Sequence, residues 1–242
     1  MFPVRDSIPT RTVPVVTRAV ILINVVVFFF ELTLPPEALE RFFFLFGIVP
    51  TRLTHPDWAA AKGFPGGAYW TLLTHQFLHG GWLHIISNMW ALWIFGDNVE
   101  DTMGRVRFPI FYVTCGVLAG LTQVLTQPDS TLPCIGASGA IAGVLGAYLI
   151  FYPTARMVVL LPIFFVPFFF EVPAVLYLGI WFATQLFNGT LALAAPEQAG
   201  GIAFSAHVGG FVAGMLLCSL FAQRKRRPLQ DDEYGLEWAW RR

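Results

Sequence analysis

The sequence predicts an all-α membrane protein, a bundle of six transmembrane helices. Three observations carry that expectation. The 242 residues are 56% hydrophobic and only 12% charged, with a mean hydropathy of +0.63, a balance foreign to ordinary soluble domains. Six apolar runs of near-spanning length recur, at about 18–34, 79–96, 106–126, 135–152, 172–188 and 202–222. With both termini cytoplasmic, twelve of the fifteen Lys and Arg fall on the inner side; only Arg41, Arg52 and Lys62 fall outside, all in one loop. That is the positive-inside asymmetry, and an odd number of spans would spoil it.

The elements follow in order. Residues 1–17 form a cytoplasmic N-terminal segment, 18–222 the helical domain and 223–242 a charged cytoplasmic tail. The first run starts after Arg18 and has no small-residue cleavage site, so it reads as a retained helix rather than a signal peptide. A long outer loop, about 35–78, holds Phe42-Phe43-Phe44-Leu45-Phe46 and then Trp58, Phe64, Tyr69 and Trp70, and reads as lying in the membrane interface. The second run contains His84 and Asn88, and Arg105 and Arg107 flank the start of the third. The fourth carries no charge. Segment 158–170 is apolar but cut by Pro162 and Pro167, which makes it an interfacial or re-entrant connector into the fifth run. A loop at about 189–201, with Gly200 and Gly201, precedes the sixth. No cytosolic domain is evident, which suggests a bacterial-type inner membrane. Cys115, Cys134 and Cys218 are widely spaced and read as buried free thiols.

Chemistry concentrates in the apolar runs. Ser138 stands in Gly136-Ala137-Ser138-Gly139 at the start of the fourth run. The glycines permit close backbone approach, and a helix start there offers free N–H groups and the positive end of the dipole to a developing oxyanion. The same glycines also serve packing, because Gly139, Gly143 and Ala147 form a small-xxx-small face. A hydroxyl in that frame is either a packing device or a nucleophile. His207 weighs toward the nucleophile. An ionisable residue inside a membrane run marks a functional site by default, and Gly210 and Gly214 smooth the same helical face. The natural mate of that face is the small face of the Ser138 helix. A neutral imidazole there can take a serine proton and return it to a leaving amine.

His84 and Asn88, four residues apart, share a helical face and supply donors suited to an oxyanion. His75 and His79 repeat that spacing, but no His-Glu-x-x-His exists and no acidic residue completes a ligand set, so neither metal nor other cofactor is expected. Nothing points to nucleic acid. No Asp or Glu lies in the His207 run, so the expectation is a Ser–His dyad rather than a triad.

Together these residues resemble the rhomboid family of intramembrane serine proteases. His84-Ile85-Ile86-Ser87-Asn88 resembles its His-x-x-x-Asn, and the run from Glu100 through Gly104 to Arg107-Phe108 its Glu-x-x-x-Gly-x-x-Arg-Phe. Gly136-Ala137-Ser138-Gly139 resembles its Gly-x-Ser-Gly, and Ala206-His207 with Gly210 and Gly214 its Ala-His-x-x-Gly-x-x-x-Gly. The resemblance implies a rhomboid-like six-helix bundle with Ser138 as nucleophile and His207 as general base. It implies an oxyanion hole of His84, Asn88 and the Ser138 N–H, with His79, Gly136, Gly139 and Gly210 in support and Glu100 and Arg107 structural. It also implies transmembrane protein substrates, a lipid bilayer as the medium and a lateral gate in the fifth run around Trp181 and Phe182, with 189–201 as a lid. Two departures stand out: Trp70-Thr71 replaces the family's Trp-Arg, and Ala142 replaces an aromatic that supports the histidine ring. The rival readings are a non-proteolytic rhomboid-like binding module, which would lack the Ser or the His, and a transporter, which would show paired intramembrane charges or repeat symmetry.

Overall fold

The structure is a computed structural model and describes residues 2–65, 68–163, 166–194 and 203–223. It begins with a strand, β1 (Phe2–Asp6), followed by α1 (Val15–Glu31). Four short helices then fill the long loop: α2 (Pro36–Phe46), α3 (Pro50–Thr54), α4 (Pro56–Ala61) and α5 (Thr71–Thr74), the last running into a 3-10 turn at His75–Phe77. The core helices are α6 (Trp82–Met103), α7 (Arg107–Thr126), α8 (Ser138–Phe151), α9 (Ala174–Ala194) and α10 (Phe204–Phe221). Strands β2 (Arg156–Ile163) and β3 (Val166–Pro173) lie between α8 and α9.

Each apolar run of the sequence thus becomes a helix. Among the described residues three of them, α7, α9 and α10, are long and apolar enough to cross a bilayer. Helix α1 has 17 residues, α8 has 14, and α6 ends in Asp97, Glu100 and Asp101. The acidic end of α6 continues past the predicted boundary because its carboxylates are satisfied. Thr10 donates to Asp97, Thr12 to Asp101, and Glu100 accepts the Val16 and Thr17 N–H groups at 3.0 and 2.7 Å and the Thr17 hydroxyl at 2.8 Å. A buried glutamate therefore caps the N-terminus of α1, where orphan donors and the helix dipole both favour an anion.

The sheet corrects the all-α expectation. Segment 158–170, expected as an interfacial or re-entrant connector into the fifth run, folds as a β-hairpin that leads into α9, with Pro162 and Pro167 in register. Ala155, Met157 and Val159 are buried while the residues between them are not, a period of two that fixes a strand. β1 adds antiparallel to β2, pairing Phe2 with Leu160 and Asp6 with Met157. The N-terminal segment is therefore tied to the bundle. Trp90 donates to the Pro3 carbonyl, and Asn98 and Tyr148 donate to Asp6.

Small residues set the spacing of the innermost helices. Side chains added at Gly210 and Gly214 of α10 would collide with the carbonyls of Gly139 and Gly143 on α8, and one at Gly146 would collide with Phe211. One at Gly139 would stand 2.7 Å from the Ala119 side chain of α7. Backbones this close gain dispersion contact at these positions, one of the forces that associates helices in lipid. At the other end Gly104 (φ +80°) makes the turn into α7, Phe108 is buried, and Arg107 donates to the Ala222 carbonyl at the end of α10. The part of 189–201 that was expected to be a lid, Gly200 and Gly201 included, lies largely outside the described residues. Only its start is seen, as the last turns of α9. The tail beyond Gln223 lies outside them as well.

Candidate active site

Ser138 opens α8, so its N–H is one of the donors without an intrahelical partner. The approach to it is held from the long loop. The Gly136 N–H donates to the His75 carbonyl at 2.9 Å, and Cys134 and Ile48 exchange two backbone hydrogen bonds. The loop helices are in turn fastened by Arg52. Its buried guanidinium donates to the Phe44, Leu45 and Pro65 carbonyls and lies over the Phe64 and Trp70 rings. With Thr71 where the family has arginine, the cation that meets the tryptophan comes from position 52, and Thr71 itself caps back onto the Ala68 carbonyl.

Across the α8–α10 seam, Ser138 Oγ and His207 Nε2 share a hydrogen bond of 2.7 Å. Both residues are half-buried, so the pair is reachable from outside the core. The imidazole does not lack support in the absence of an aromatic at Ala142. The Trp181 ring stands 6.2 Å from it, tilted by 33°, and Phe204 meets it edge-on at 6.4 Å. His207 Nδ1 lies 2.8 Å from Gln185 Oε1 on α9.

His84 approaches from the N-terminal turn of α6. Gly136 has φ +125°, and a Cβ there would stand 2.6 Å from His84 Nε2 and 3.6 Å from Ser138 Oγ. The missing side chain is therefore what lets the His84 ring lie beside the serine. Asn88 is buried one turn further on, its amide nitrogen 3.1 Å from His79 Nε2, and the His79 and His84 rings meet edge to face at 5.0 Å. His75 takes no part in this cluster: its Nδ1 bonds the Thr71 carbonyl, and it serves the loop. Among the described residues no group of three His, Cys, Asp or Glu side chains gathers in a way that could hold a metal.

The rhomboid domain pattern matches residues 66–224, well over half of the chain. The chain belongs to the rhomboid family. Rhomboids are integral membrane proteins and generally intramembrane proteases. The chain is 32% identical over 178 residues to RHOMBOID-like protein 5 of Arabidopsis thaliana, an alignment covering 69% of this chain and 49% of that one. It is 33% identical over 87 residues to the putative rhomboid protease YdcA of Bacillus subtilis (36% and 43% covered). It is also 41% identical over 83 residues to the rhomboid protease GluP of the same organism (34% and 16% covered). The chain spans about half or less of the length of these curated relatives.

Two residues beside the candidate site are not evident from the sequence. Glu31, buried at the end of α1, accepts the His79 N–H through both carboxylate oxygens at 3.3 Å. A lone acid closing an apolar run was the available signal. Gln185 had a fainter one: a single glutamine inside the fifth run.

Proposed function

We propose that this rhomboid is an active serine endopeptidase that cleaves transmembrane segments of other proteins with a Ser138–His207 dyad. The observation that supports it is the 2.7 Å contact between Ser138 Oγ and His207 Nε2 at a helix start flanked by glycines. In this reading His207 Nε2 takes the hydroxyl proton while Ser138 Oγ attacks the scissile carbonyl carbon. The resulting oxyanion is met by the Ser138 N–H, His84 and Asn88, each such donor contributing on the order of 3 kcal/mol to the transition state. The C–N bond then breaks as His207 returns the proton to the leaving amine, and water, activated by the same imidazole, releases the acyl group from Ser138.

The medium dictates the rest. A bilayer core excludes the water that hydrolysis consumes, so the half-buried cluster of His84, Ser138 and His207 must face a hydrated opening on the side of the long loop. A transmembrane helix hides its amides in its own hydrogen bonds, so substrates carry small or helix-breaking residues near the cut. Entry is assigned to α9, whose Val175, Leu176, Ile180, Leu186, Phe187 and Leu191 are exposed while few of its residues are buried. The domain is taken as 18–222, with six spans and both termini on the arginine-rich, cytoplasmic side of a bacterial inner membrane.

The test is cleavage of a single-span reporter by the purified protein in detergent and in liposomes. Wild type cuts within or beside the span, and Ser138→Ala does not. Cleavage that persists in Ser138→Ala removes the nucleophile assignment, and a wild type inert toward every reporter and toward serine-directed probes favours the binding-module reading.

A further inference from the structure

We infer that Gln185 of α9 is a positioning residue for His207, fixing the tautomer that leaves Nε2 free to accept the Ser138 proton. This rests on the dyad reading above and deepens it. An amide oxygen can only accept, so the 2.8 Å contact between Gln185 Oε1 and His207 Nδ1 requires the ring proton to sit on Nδ1. Nε2 is then a lone pair, and the 2.7 Å contact with Ser138 Oγ runs from hydroxyl to ring.

A second contact favours this orientation of the amide. Thr184 donates its hydroxyl proton to the Trp181 carbonyl at 2.6 Å, which leaves its oxygen as an acceptor for Gln185 Nε2 at 3.4 Å. That contact turns Oε1 toward the imidazole. One chain of donors therefore runs in a single direction, from Ser138 through His207 and Gln185 to Thr184 and the α9 backbone. The amide takes the place that a carboxylate holds in a triad, but being neutral it orients the ring without drawing charge into an apolar site.

The source of the partner matters. His207 is on α10, which packs tightly on α8, whereas Gln185 is on the loosely seated α9. Among the described residues, the bond to His207 is the one side-chain hydrogen bond from α9 to another helix; its other contacts to α10 and α6 include the rings of Trp181 and Phe182 on Phe211 and of Tyr177 on Phe95. The base is thus fully oriented only while α9 is seated, and displacement of α9 frees the imidazole to rotate.

The experiment uses the full chain in detergent with the single-span reporter. Gln185→Met keeps length and removes the acceptor; Gln185→Glu keeps an acceptor oxygen. The expected result is a kcat lowered roughly tenfold to a hundredfold in Gln185→Met, the range for a lost hydrogen bond to a group that becomes charged, with KM changed less than twofold. Gln185→Glu recovers most of that loss. Nitrogen-15 NMR of the wild type, with His207 assigned by its absence in His207→Ala, shows the proton on Nδ1; this needs no substitution at 185 and stands if Gln185→Met fails to fold. The inference is overturned by wild-type kcat in Gln185→Met, by equal losses in both variants, or by a proton on Nε2. If His207→Ala is inert while Gln185→Met is unimpaired, only the role of Gln185 fails. If His207→Ala still cleaves, the dyad itself fails.

Discussion

Gly210 of α10 packs against the backbone carbonyl of Gly139 on α8 with no room for a side chain, and a Cβ there would also stand 3.3 Å from that of Ala119. Gly139 follows Ser138, and Gly210 is one helical turn past His207. The seam that these two glycines close therefore sets the distance across which the hydroxyl and the imidazole meet. Gly210→Val should push α10 away and lower cleavage by about a hundredfold, the order expected for a misplacement near 1 Å. Gly179→Ala on α9, where an added Cβ meets nothing within 4 Å, should leave activity within twofold. Reporter cleavage by the two purified variants makes the comparison.

Arg52 is the rivet of the long loop. Arg52→Ala leaves three carbonyls without their cationic donor and should destabilise the loop by about 2–3 kcal/mol, given the strength of hydrogen bonds to charged groups. Arg52→Lys should recover little, since an ammonium cannot span the three acceptors and stack on Trp70. Limited proteolysis within 36–65 reads the loss as faster nicking in both variants than in wild type.

Glu100 holds three donors of the first turn of α1. Glu100→Ala leaves them unsatisfied in a buried place and should lower the thermal midpoint more than any exposed acid-to-alanine change, by the equivalent of about 3 kcal/mol. Glu100→Gln, which keeps one acceptor, should fall between. Thermal unfolding in detergent, followed by circular dichroism, orders the three proteins.

Docking of β1 should depend on pH. Asp6 is pushed up to about 7 by burial, aided by the nearby charge of Asp97 and opposed by the hydrogen bond from Tyr148. The docked state therefore binds its proton more tightly than the released strand, where the carboxyl has its ordinary value. The contribution of Asp6 to docking is full below pH 4, falls as pH rises toward 7, and is lost above that. Hydrogen exchange of residues 2–6 should be slower at pH 5 than at pH 8 after correction for the intrinsic rate, and Asp6→Asn should remove the difference.

Much of the candidate site was legible because membrane helices are written in a spare alphabet. Ser138 and His207 are polar exceptions in apolar runs, and the glycine spacing around each describes a face on which another backbone can lie. His84 and Asn88 were found by the same periodicity. The sheet was not legible: β1 and β2 are separated by some 150 residues in sequence, and nothing local announces that Phe2 will pair with Leu160. The strands of the hairpin were not legible either, because an apolar run broken by prolines fits a membrane connector of any conformation, and only burial at alternate residues marks a strand. Arg52 and Glu31 bond to backbone, which leaves no complementary residue in the sequence to find. Gln185 is one of three neighbouring polar residues near the end of its run, with Thr184 and Asn188, and its contact with His207 follows only from where α9 lands.

The most direct measurement is mass-spectrometric mapping of a fluorophosphonate adduct on the full-length protein. The expected result is a single modified residue, Ser138, with labelling abolished in His207→Ala and slowed in Gln185→Met. Modification of another serine, or undiminished labelling of Ser138 without the imidazole of His207, would contradict it.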